Sequence, residues 1–106
     1  MKALTEILES IVSVNERYRT LKMSFISDQT EMLRDLSCAY SDLIQHKSEA
    51  KDEWLDSYNL FKGSNAAKQR FADSEVRHYS LIKDNLTAIK IKIDVMRTTV
   101  SANKQQ

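Results

Sequence analysis

The chain has 106 residues, of which 42% are apolar and 29% charged, and a formal net charge of +1. That length gives one domain or less, and that apolar share excludes a disordered chain. No apolar run reaches the ~20 residues that span a bilayer, and the N-terminus lacks the basic, apolar, small-residue order of a secretory leader. The single cysteine, Cys38, cannot pair within the chain, and a reducing cytoplasmic location is the expectation.

The near-neutral total hides an asymmetry. Residues 1–61 carry seven Lys/Arg against eleven Asp/Glu, a balance of −4, whereas residues 62–106 carry nine against four, a balance of +5. Halves of opposite sign attract each other within a hairpin or between subunits, and a basic half also suits a polyanion.

The first apolar stripe is Leu4, Ile7, Ile11, Val14, Tyr18, Leu21 and Phe25. Steps of three and four put these side chains on one helical face, so a helix is predicted from about Lys2 to Ile26. The stripe then changes phase, resuming as Met32/Leu33, Leu36, Tyr40 and Leu43. A phase slip marks a break or kink. Asp28 with Glu31 three residues later resembles a capping box, so the second helix is predicted from about Asp28 to Phe61. Cys38 lies beside the Leu36/Tyr40 stripe and reads as a buried thiol. Ala50, Trp54, Tyr58 and Phe61 share a face farther on, and the stripe also takes in Lys47. The aromatics read first as core packing near the end of a hairpin, with base stacking as the alternative.

Lys62-Gly63-Ser64-Asn65 is the clearest punctuation in a chain with one glycine and no proline. Gly63 suits a left-handed position just past a helix end, and Ser64 or Asn65 suits the next N-cap. A third helix is predicted from about Ala66 to Ser101, followed by a frayed tail over 102–106. Its stripe is Tyr79, Ile82, Leu86, Ile89, Ile93, Met96 and Val100. Leu86, Ile93 and Val100 fall at one core position, with Ile82, Ile89 and Met96 at the other, a pattern that favours assemblies larger than dimers. The predicted fold is all-α: long amphipathic helices in a hairpin or coiled-coil bundle, completed by homo-oligomerisation because so short a chain has little core of its own.

Catalytic and metal-binding signatures are not evident. His46 and His78 are far apart in sequence, without a second ligand at helical spacing. One glycine cannot build a phosphate-cradling loop, and paired carboxylates such as Asp52-Glu53 read as a solvated face. The expectation is a non-enzyme without cofactor or metal. Binding remains: Lys68, Arg70, Arg77, Lys83, Lys90, Lys92 and Arg97 recur outside the third stripe, and Tyr58, Phe61, Phe71 and Tyr79 flank the turn. Basic grooves with aromatics serve single-stranded nucleic acid; the same cations also simply keep a bundle in solution.

The segment Glu53-Trp54-Leu55-Asp56-Ser57-Tyr58-Asn59-Leu60-Phe61-Lys62-Gly63 follows Ala50 and Lys51. Lys68, Arg70 and a long helix ending Met96-Arg97-Thr98-Thr99-Val100-Ser101-Ala102-Asn103-Lys104 come after it. Over the C-terminal two-thirds this resembles the small all-helical phage recombination mediators, the UvsY-like group, with Trp54 where that pattern has a basic residue before Leu-Asp. The resemblance implies a homo-oligomer that binds single-stranded DNA and helps load a strand-exchange recombinase while displacing a single-strand-binding protein. Lys51 then takes the central basic position, with Lys62 near the turn, and Lys68, Arg70 and Arg77 complete the candidate DNA-binding set. The turn Phe61-Lys62-Gly63, with Ala66 and Phe71 after it, is also similar to that of small secreted type VII helical hairpins. The competing reading is a helical protein–protein interaction module (adaptor, chaperone or inhibitor) with no nucleic-acid role.

Overall fold

The structure, a computed structural model, describes residues 2–21 and 26–104, with side chains through residue 102. It has four helices: α1 (Leu4–Arg19), α2 (Ile26–Leu60), α3 (Asn65–Glu75) and α4 (Arg77–Lys104). Among the described residues there is no strand, and no helix is long and apolar enough to cross a membrane. The molecule measures 59 × 25 × 20 Å with a radius of gyration of 17.4 Å, against about 13 Å for a globule of this length. This elongation follows from α2, whose 35 residues rise about 52 Å.

The spine is the packing of α4 on α2. Ile82, Leu86, Ile89, Ile93 and Met96 of α4 join Met32, Leu36, Ala39, Leu43 and Ala50 of α2 in one buried cluster. Ile7, Ile11 and Val14 of α1 complete it, with Leu4, Tyr18, Leu21 and Tyr79 packed at its edges. The stripe from Ile82 to Val100 is thus buried within one chain, so its burial does not require the second copy that its heptad pattern suggested. Short α1 is enough to cover the remaining side of the α2/α4 pair over about half its length.

Polar contacts fix α1 on α2. Arg17 reaches the Asp35 carboxylate at 2.8 Å and Lys2 reaches Asp42 at 3.6 Å. His46 Nε2–H donates to the Lys2 carbonyl oxygen at 2.7 Å. From the other wall, Lys92 of α4 donates to Asn15 Oδ1 and lies 5.4 Å from the Tyr18 ring centroid. Asp35, Asp42 and His46 therefore mark the side of α2 that faces α1.

Several boundaries differ from the sequence reading. α1 ends at Arg19, where the Thr20 N–H and hydroxyl both donate to the Glu16 carbonyl. The predicted stripe residue Phe25 lies outside the described residues, as do Gln105 and Gln106 of the predicted frayed tail. α2 begins at Ile26, which places Asp28 inside the first turn instead of at the cap. Cys38 is exposed: it stands two positions past the fully buried Leu36, on the opposite side of the helix.

Gly63 has no positive φ. Its small size matters for space instead, because a Cβ there would lie 3.1 Å from Phe61 Cε1. Ser64 is the N-cap, its Oγ accepting from the Ala67 N–H at 3.2 Å. The predicted third helix is two helices, α3 and α4, broken at Val76 (φ −120°, ψ 68°). The side chain of Val76 is buried, so the break lets α3 fold back on the end of α2 while α4 runs along its length. The predicted end at Ser101 also moves, with α4 continuing to Lys104.

Leu43 is fully buried and Val12 is 59% exposed. In urea denaturation, Leu43→Ala is expected to lower stability by about 2–5 kcal/mol, and Val12→Ala by no more than about 0.5 kcal/mol. Equal effects would place the core elsewhere.

Candidate functional site

At the hairpin end, α2 turns its aromatics toward α3 and α4. The Trp54 and Tyr58 rings stack with centroids 5.3 Å apart and planes 22° apart, and Tyr79 tilts against Trp54 at 6.0 Å. Phe61 stacks on Phe71 at 4.9 Å. Trp54 Nε1–H donates to Asp73 Oδ1 at 2.8 Å, and the Tyr58 hydroxyl donates to Asn65 Oδ1 at 3.2 Å. The cluster ties α3 to α2 by ring contact and hydrogen bonds together. Its faces are occupied: the Lys68 ammonium lies 5.4 Å from the Tyr58 centroid and that of Lys83 lies 4.4 Å from Tyr79, contacts worth about 0.5–1 kcal/mol each at exposed sites. These rings pack against one another at the hairpin end, and all five are half-buried.

The predicted basic residues separate. Lys68 is half-buried over Tyr58. Arg70, two positions on, lies on the opposite side of α3 and is exposed. Lys62 is exposed in the turn, and Arg77 is exposed at the first position of α4. Lys51 is exposed on α2. The seam residues Ile82, Leu86, Ile89, Ile93, Met96 and Val100 are buried, with Tyr79 half-buried beside them.

A different set of cations converges. On the side of the α2/α4 pair away from α1, two adjoining clefts share Tyr40 and Lys90. One is completed by Lys47, Lys83, Leu86 and Thr87, the other by Ser37, Ile93, Asp94 and Arg97. The sequence explains the alignment. Lys83, Lys90 and Arg97 recur every seventh residue and form one column along α4, with about 10.5 Å of rise between neighbours. Tyr40 and Lys47 have the same spacing on α2, and Lys51, four residues on, extends that side. Lys47 looked anomalous on an apolar stripe; in three dimensions it belongs to the groove wall. The recurrence of Lys83, Lys90 and Arg97 was visible in the sequence, but their meeting with Lys47 and Tyr40 needed the α2/α4 register.

The groove lining carries four cations and one carboxylate, Asp94. His78 lies 3.3 Å from Glu53 and His46 is bound to the Lys2 carbonyl. Among the described residues, no cluster of His, Cys, Asp or Glu could hold a metal ion, and every buried side-chain N or O has a hydrogen-bond partner. No family model, curated protein or solved structure matches the chain.

Trp54 is the only tryptophan in the chain, so its fluorescence reports on the hairpin end. Asp73→Ala is expected to alter its emission and to cost about 0.5–1.5 kcal/mol in denaturant unfolding. An unchanged spectrum would mean that the Trp54–Asp73 bond does not hold the ring.

Proposed function

We propose that the chain is a non-enzymatic helical protein that binds single-stranded DNA along the α2/α4 groove. In this reading it acts as an accessory to a strand-exchange recombinase, easing its loading against a single-strand-binding protein. The sign of the groove carries the proposal: Lys47, Lys83, Lys90 and Arg97 line it, and Asp94 is the one carboxylate among the lining residues. Lysines on flexible stems suit phosphate contact that ignores sequence. Tyr40 is the ring left in the groove for a base to meet. Support for the recombinase role comes from the sequence resemblance around Lys51 and Lys62.

The test is fluorescence anisotropy of a labelled single-stranded oligonucleotide. Four phosphate contacts give a log–log salt slope of roughly −3, an affinity loss of about 50-fold between 50 and 200 mM salt. Lys83→Glu with Lys90→Glu is expected to abolish the low-salt binding. No binding by the unaltered chain at low salt would end the DNA reading. For the finer role, the chain should relieve inhibition of a strand-exchange reaction by single-strand-binding protein, and failure to do so would leave DNA binding alone.

The second reading, a protein-interaction module, is favoured by one observation. Leu81, Ile91 and Val95 are 46%, 61% and 43% exposed on the side of α4 away from its buried stripe. It gains if no oligonucleotide binds.

A further inference from the structure

The two clefts of the basic groove differ in chemistry. Lys47, Lys83 and Lys90 line the first, and its other lining residues are Tyr40, Leu86 and Thr87. That is a surface for phosphate: three mobile ammonium groups and no carboxylate among the described lining residues. The second cleft is lined by Ser37, Tyr40, Lys90, Ile93, Asp94 and Arg97. Its volume is about 200 Å³, below the roughly 300–1,000 Å³ of pockets that hold drug-sized ligands, and on the scale of a single planar ring. A carboxylate in such a place repels phosphate, so a phosphate contact alone does not account for Asp94.

The remaining groups of the second cleft suit a base. Tyr40 packs against the buried cluster and is half-buried, so the core holds its ring in place while part of it stays open to the groove. Ile93 closes the apolar floor. The Ser37 hydroxyl donates to the Leu33 carbonyl at 2.8 Å; its proton is engaged, and its oxygen faces a ligand as an acceptor. Asp94, exposed on α4, adds a carboxylate acceptor from the opposite helix. Arg97, one turn farther along α4, brings a fork of donors. Beside one aromatic ring the cleft therefore sets acceptors next to donors. Cytosine presents the complementary edge, an N4 amino group beside the N3 and O2 acceptors, and carboxylates accept from cytosine N4. Thymine and uracil place an oxygen at that position, against the carboxylate.

We propose that this second cleft is a base-selecting pocket that prefers cytosine to thymine or uracil. Tyr40 stacks the base, Asp94 accepts from its amino group, and Arg97 donates to its ring acceptors. Lys90 lines both clefts and takes the phosphate between them. The proposal rests on the nucleic-acid reading of the groove and adds to it a selection by base, which the lysine contacts do not supply.

Labelled oligo-deoxycytidine and oligo-deoxyuridine of equal length test it by fluorescence anisotropy with the full chain. Their bases differ in the amino or oxo group at C4, and a mildly alkaline buffer keeps cytosine N3 free of a proton. The unaltered chain is expected to bind the cytosine strand at least about fivefold more tightly, the low end of what one base-edge contact discriminates. In Asp94→Asn the new amide accepts from an amino group or donates to an oxo group equally well. The ratio should then fall close to one while both strands still bind. Asp94→Ala, which removes the acceptor without replacing it, should give the same ratio. Asp94 is exposed, so both variants are expected to keep their helices, which circular dichroism checks. Equal binding of the two strands by the unaltered chain, or a preference for uracil, would overturn the pocket and leave the DNA reading standing. A cytosine preference that survives both Asp94 variants would overturn it as well. Failure of the unaltered chain to bind either strand at low salt would instead end the DNA reading, and this proposal with it.

Discussion

Everything in this molecule depends on the burial of one face of α4 against α2. Ile82, Ile89 and Met96 are all but sealed from water, as are Leu36 and Leu43 opposite them. Each such side chain contributes roughly 1.5–3 kcal/mol when removed from water, and no other pair of helices offers a comparable seam. The register of that seam then decides which remaining side chains meet. On one flank it brings Lys47 and Tyr40 of α2 to Lys83, Lys90 and Arg97 of α4. On the other it opens the trough that α1 partly fills.

The ends of the hairpin are held differently. At one end α1 contributes three buried aliphatic residues and is oriented by charged and polar contacts to Asp35, Asp42 and Lys92. Pairs exposed to this degree add little stability individually; they fix placement, and burial of Ile7, Ile11 and Val14 supplies the attraction. At the other end α3 is held by aromatic stacking and by side-chain hydrogen bonds from Trp54 and Tyr58. Aromatics that stack on one another beneath lysine ammonium groups help hold the hairpin end together.

The sequence divides its charge between halves of the chain, whereas α2 divides its own between two sides. α2 contributes to both: Lys47 and Lys51 face one way, and Glu49, Glu53 and Asp56 face the other. A helix sorts charges by position modulo its turn, so neighbours in sequence end on opposite surfaces.

The sequence by itself determined the all-helical class, the apolar stripes and the hairpin turn, because spacing at the helical period is a local property that needs no partner; it read α3 and α4 as one helix. It also held the evidence for the break at Val76: Val76, Tyr79 and Ile82 follow at two successive steps of three, where a continuous stripe requires a four. What only tertiary structure decided was who covers each face. Heptad spacing describes a dry surface without saying whether the covering helix is in the same chain, so the stripe from Ile82 to Val100 pointed to other copies when α2 and α1 already sufficed. The same reason separates the candidate cations. Lys68, Arg70 and Arg77 are close in sequence and diverge in space, whereas Lys47 and Lys83 are remote in sequence and share a cleft once two antiparallel helices set their register.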